Sequence, residues 1–219
     1  MPATEVVDLA AAAFDFAVVD LEHSQLDEAE GRRLVRHAWA IGFPVVVRLP
    51  LPDRDRINRL LEAGAAGIQL STVRRTAQIA ETRHSMLYAP RGSRSISLAQ
   101  APAGYGAADL AEFVAAADEG PLLVAQIETA TTEDPLEVIA AAGPDVLFVG
   151  PMDLTVDLGG DLARTRARRD EIAAVAAAAD IHLGGVAIDD EPLRYDVIGS
   201  DLALLRGALH RAREERKKR

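Results

Sequence analysis

Residues 122–153 read LLVAQIETATTEDPLEVIAAAGPDVLFVGPMD. Two near-continuous apolar runs, 122–127 and 146–149, flank a helical stretch at 135–142, and Gly143 follows that stretch where helices usually stop. Apolar runs without alternation suit parallel strands covered on both faces. Strand, helix and parallel strand in about thirty residues make a βαβ unit. Each strand is followed by a carboxylate: Glu128 directly after the first, Asp153 a few residues after the second.

The same rhythm extends in both directions. Further strands are expected at 16–20, 45–49, 67–70, 183–188 and 196–198, with helices near 5–13, 26–41, 53–63, 76–82, 108–117 and 164–179 and a last one from 202 toward 216. This alternation predicts an α/β protein with a parallel sheet, of the TIM-type (β/α) barrel class. The chain reads as one domain over 1–219, with 202–219 as a C-terminal helix and basic tail. Polar residues gather where the strands end: Asp20, Glu22 and His23; Arg48; Gln126 and Glu128; Asp153. In a barrel those ends converge on the face where ligands bind. A doubly wound sheet also collects ligands at strand ends, but the chain has neither G-x-G-x-x-G nor a P-loop to support a nucleotide.

Two features fall short of a full barrel. A (β/α)₈ barrel usually takes about 250 residues, and the chain has 219 and opens on a helix. Residues 189–195, between the last two expected strands, can span a barrel's height only in extended form, and Pro192 limits helix there. The expectation is therefore a barrel lacking its first strand and the helix before its last.

Composition narrows the chemistry. With no cysteine, thiolate nucleophiles, disulfides and thiolate-bound zinc are excluded. The only lysines are Lys217 and Lys218, in the tail, so a Schiff-base aldolase or a pyridoxal enzyme lacks its buried amine. A formal charge of −10 disfavours nucleic acid. No apolar run reaches the roughly 18 residues of a membrane span, and the first residues do not read as a secretory signal, so a cytoplasmic protein without a membrane partner is expected. The basic tail reads as a solvated helix end.

Two carboxylates at neighbouring strand ends, with His23 the one histidine of five at such a position, suit a hard cation such as Mg²⁺ or Mn²⁺. Each acid alone reads equally as a loop residue, and Asp153 as the cap of a turn before Leu154. Arg48 at the end of a valine strand is either paired to a buried carboxylate or aimed at an anionic substrate. His23, structural if alone, gains an acid–base reading from Asp20 and Glu22 beside it.

Five stretches, FDFAVVDLEH (14–23), PVVVR (44–48), LEAGA (61–65), QIE (126–128) and FVGPMDL (148–154), together resemble the metal-dependent pyruvate aldolases of the hydroxy-oxo-heptanedioate aldolase and citrate lyase β-subunit superfamily. The likeness runs from about Val6 to Gly159 and more weakly beyond. It implies a (β/α)₈ barrel assembled as hexamers or trimers of dimers, acting on a 2-oxo acid and an aldehyde with Mg²⁺, Mn²⁺ or Co²⁺. Glu128 and Asp153 match the metal ligands. Arg48 matches the arginine that polarises the pyruvate carbonyl, and Gln126 lines the same pocket. His23 matches the histidine that moves the proton, and Glu62 stands where the family has an aspartate paired to it. Backbone N–H groups at Met152 and Asp153 match the receptor of the pyruvate carboxylate. In the loop YAPRGSRS (88–95), Gly92 and Arg94 are kept, while Ser95 replaces a glycine. The implied reaction is aldol cleavage or addition through a pyruvate enolate. Oxaloacetate decarboxylation, enolate coupling by a synthase, an acyl-CoA lyase and a non-catalytic scaffold are the alternatives.

Overall fold

The computed structural model describes residues 1–117, 120–186 and 193–218. In chain order it contains α1 (Thr4–Ala11), β1 (Ala17–Asp20), α2 (Glu28–Ala40), β2 (Val45–Leu49), α3 (Arg54–Glu62), β3 (Gly67–Leu70), α4 (Thr76–Met86), a 3₁₀ segment (Ala101–Gly106), α5 (Leu110–Ala116), β4 (Leu122–Ile127), α6 (Leu136–Ala141), β5 (Val146–Val149), α7 (Pro151–Asp157), α8 (Leu162–Ala178), β6 (His182–Val186), β7 (Tyr195–Val197) and α9 (Asp201–Lys217). The seven strands form one sheet in sequential order, β1 to β7, and every neighbouring pair is parallel. The end of the expected strand 183–188 and most of the connection 189–195 lie outside the described residues.

Strand residues alternate between two apolar layers, as the two-residue pleat requires. Val45, Val47, Leu49, Ile68, Leu70, Leu123, Ile127, Leu147 and Val149 face outward into the main core with α2, α3, α4, α6 and α8. The intervening residues Val46, Val124, Val146, Phe148 and Tyr195 face inward with Phe16 and Val18. The sheet curls far enough for its ends to meet through side chains. The ring of Phe16, just before β1, lies 4.6 Å from that of Tyr195 on β7, and Phe148 packs edge-on to the same tyrosine at 5.9 Å. β1 and β7 are nevertheless the two edges of the sheet, with no ladder between them among the described residues.

Side chains fix the helix starts. Asp27 and Glu30 form a reciprocal capping box at α2, and Asp53, Asp161 and Ser200 cap α3, α8 and α9. Two elements were not expected from the sequence, the 3₁₀ segment and α7, which begins with Gly150 as its cap and Pro151 at its first position. Proline is tolerated there because that N–H has no helical partner. α9 has no buried residue, and Leu202, Leu204, Leu205 and Leu209 are exposed along it. No helix among the described residues is long and apolar enough to cross a membrane.

Candidate active site

The inner face changes character over one step of two residues. Val18 leads to Asp20 on β1, Val46 to Arg48 on β2, Gly67 to Gln69 on β3, and Val124 to Gln126 on β4, with Glu128 just past its end. Pairing places Asp20 opposite Arg48, and Arg48 opposite Gln69. Side chains of different strands are thereby gathered at the C-terminal strand ends, above an apolar base.

Arg48 and Asp20 make a two-pronged pair. Nε donates to Oδ1 at 2.8 Å, and Nη2 donates to Oδ2. Asp20 Oδ1 also accepts the backbone N–H groups of Glu22 at 2.9 Å and His23 at 3.2 Å, which folds the loop after β1. Burial alone would raise the Asp20 carboxyl, but the bond from Arg48 and those two N–H groups outweigh it and hold it below the ordinary 3.8. Burial would likewise discharge Arg48. The hydrogen bond to Asp20 and the charges of Asp20, Glu22 and Glu128 push it the other way, so it stays a cation.

Glu22 reaches the same group. Its Oε1 accepts from Ser71 Oγ at 2.8 Å, while Oε2 lies 3.6 Å from Arg48 Nε and 3.7 Å from His23 Nε2. That Oε2 is buried without a hydrogen bond. The imidazole of His23 is 61% exposed, so it stands at the rim with solvent on one side.

Glu128 is buried, yet densely hydrogen-bonded. Oε1 accepts the backbone N–H of Thr72 at 2.8 Å and its hydroxyl at 2.6 Å, and Oε2 accepts from Gln126 Nε2. Behind this lie Gln69, whose Nε2 donates to Gln126 Oε1 at 2.6 Å, and Tyr195, whose hydroxyl donates to Gln69 Oε1 at 3.1 Å. Burial pushes the Tyr195 phenol up and keeps it protonated. Thr72 has φ of 50°, a left-handed conformation that a β-branched residue adopts only under constraint. The two bonds to Glu128 supply that constraint. Gly150 faces the same carboxylate. A Cβ there would stand 2.5 Å from Glu128 Oε2 and 3.0 Å from Gln126 Nε2, so only glycine leaves this space open.

The structure thus gathers Asp20, Arg48, Gln126 and Glu128 on the inner face. His23, Met152 and Asp153 stand exposed near the rim, the last two in the first turn of α7. Glu62, the last residue of α3, lies near enough to Tyr88 and Arg94 to act on both electrostatically. The ion pair of His23 is with Glu22, not Glu62. Residues that sequence reasoning left unassigned are Gln69, Ser71, Thr72, Gly150 and Tyr195. Only Gln69 carried a signal, as a polar residue inside an otherwise apolar strand.

A curled parallel sheet flanked by helices, with charged groups converging above its strand ends, defines a (β/α)-barrel type of enzyme architecture. Residues 3–195 match the family model described as HpcH/HpaI aldolase/citrate lyase, and the chain belongs to this family of carbon–carbon lyases. A hydroxypyruvate/pyruvate aldolase of Roseovarius nubinhibens is 33% identical, covering 93% of this chain and 83% of its own. A 5-keto-4-deoxy-D-glucarate aldolase of Klebsiella pneumoniae subsp. pneumoniae is 30% identical, over 98% of this chain and 88% of its own. The fold resembles the crystal structure of an HpcH/HpaI aldolase from Desulfitobacterium hafniense, with a TM-score of 0.89 and 24% identity over 100% of this chain and 90% of that one.

Proposed function

We propose that this chain makes or breaks a carbon–carbon bond beside the carbonyl of a pyruvate-type 2-oxo acid, with an aldehyde as the second partner, through the enolate of that acid. The observation that carries this reading is the gathering of a permanently charged guanidinium, Arg48, with the buried carboxylate Glu128 at one end of the strands.

The reading includes a divalent cation, Mg²⁺, Mn²⁺ or Co²⁺, held by Glu128 and Asp153. Three features favour the fit. The donors are hard oxygens, which such cations prefer. The space kept free by Gly150 adjoins Glu128 Oε2. Glu22 Oε2 is a further buried acceptor without a hydrogen bond. Among the described residues no group of three or more His, Cys, Asp and Glu forms a cage, so the remaining positions fall to water and substrate, as is usual for Mg²⁺. When bound, the cation supplies Lewis-acid polarisation of the substrate carbonyl.

The chain's own groups do the rest. Asp20 occupies the Nε and Nη2 edge of Arg48 and turns Nη1 toward the substrate, where it offsets negative charge growing on the carbonyl oxygen. Gln126 lines the same pocket, and the backbone N–H groups of Met152 and Asp153 receive the substrate carboxylate. His23, steadied by Glu22, takes the proton from the alcohol in cleavage and returns it in addition. Within one chain the carboxylate beside His23 is Glu22, and Glu62 stays a candidate second partner of His23. Identical copies assemble through the exposed leucines of α9.

Exchange of the pyruvate methyl protons in D₂O, followed by NMR, tests this reading. Exchange is expected with Mg²⁺ or Mn²⁺, and is lost on adding chelator or in Glu128→Ala. Exchange that is absent with every cation, or undiminished in Glu128→Ala, overturns it.

A further inference from the structure

Glu128 sits at the end of an ordered series of hydrogen bonds. An ionised carboxylate only accepts. Gln126 must therefore turn its NH₂ toward Glu128 Oε2, and its own carbonyl oxygen toward β3. Gln69 must then present its NH₂ to Gln126, and its carbonyl oxygen to Tyr195. The phenol completes the series as a donor. A flip of either amide would set oxygen against oxygen or N–H against N–H. The members are all buried, with Gln69, Gln126, Glu128 and Tyr195 between 2% and 5% exposed, so water is poorly placed to repair such a mismatch. The tyrosine is itself held by the rings of Phe16 and Phe148.

The series decides which oxygen of Glu128 remains usable. Oε1 already takes two donors, both from Thr72. Oε2 takes one, from Gln126, and borders the space that Gly150 leaves open. We propose that Gln69 and Tyr195 are positioning residues which, by locking the amide of Gln126, present Oε2 of Glu128 to a divalent cation. The inference rests on the cation reading above and adds to it two residues from β3 and β7 that touch neither cation nor substrate. A partner bonded directly to a metal-ligating side chain, as Gln126 is to Glu128, typically changes metal affinity by about 10- to 100-fold when removed, and Gln69 and Tyr195 act through it.

The test is Mn²⁺ binding to the substrate-free protein, read from the electron paramagnetic resonance signal of free Mn²⁺, in wild type, Gln69→Leu, Tyr195→Phe and the double variant. Thermal unfolding checks that each is folded, and Tyr195→Phe keeps the ring and its packing should Gln69→Leu fail to fold. Gln69→Leu is expected to weaken binding about 10-fold and Tyr195→Phe about 3-fold, with the double variant no worse than Gln69→Leu because the residues act in series. Folded variants that bind within twofold of wild type, or losses that multiply in the double variant, overturn the positioning role alone. A wild type that binds no Mn²⁺ overturns the cation reading, and this inference with it.

Discussion

At the scale of single residues, Asp20 has two tasks. It keeps Arg48 charged and oriented, and it folds the loop that carries Glu22 and His23. Asp20→Asn preserves the shape of the side chain but leaves the guanidinium without its closest counter-charge. The pair is mostly buried, with 18% and 27% of the two side chains exposed. The loss should therefore be about 2 kcal/mol, between that of an exposed pair and a fully buried one. Its pH dependence follows from the direction of the Asp20 shift. A carboxyl held below 3.8 stabilises the fold above that pH, and the contribution disappears as pH falls through the lower folded value. Urea unfolding should separate wild type from Asp20→Asn at pH 7 and bring them together in strong acid. A gap that persists in strong acid would show that the loop bonds, not the charge, carry the effect.

At the scale of elements, local capping and distant convergence behave differently. The box between Asp27 and Glu30 closes on the backbone N–H groups at the start of α2. Asp27→Ala should cost about 1 kcal/mol in denaturant unfolding and leave turnover unchanged. A loss of turnover would mean that α2 positions the loop carrying His23. The seven strands were legible in the sequence because parallel strands buried on both faces are written as plain apolar runs. The expected strand at 45–49 coincides with β2, and that at 146–149 with β5. α7 was not, since Gly-Pro reads as a turn until tertiary packing shows Gly150 capping a helix. The 3₁₀ segment APAGYG has no helical period to detect. At the site, Asp20, Arg48, Gln126 and Glu128 were legible as polar ends of apolar strands. The bonds Thr72–Glu128, Gln69–Gln126 and Tyr195–Gln69 join residues 56, 57 and 126 apart in sequence, beyond any local pattern. The pairing of Glu62 with His23 rested on resemblance alone, and within one chain the ion pair of His23 is with Glu22.

At the scale of the whole molecule, the chain leaves two kinds of surface unfinished: the sheet edges β1 and β7, and the leucines of α9. Open edges and an exposed apolar helix face are ordinarily covered. Sedimentation is expected to give a species several times the 23.4 kDa of one chain, and Leu205→Glu with Leu209→Glu to dissociate it. A wild type that sediments at one chain's mass would exclude assembly through α9. The same helix ends in the protein's only two lysines, both exposed. Free aldehydes condense with amines to give imines, whereas guanidinium groups stay protonated and resist this reaction. With its side-chain amines confined to one helix tip, the body of the protein offers an aldehyde no lysine to condense with. Of the amines that coupling chemistry could attach to a support, the side-chain ones lie at that tip, and the α-amine of Met1 is paired with Asp201 at the start of the same helix.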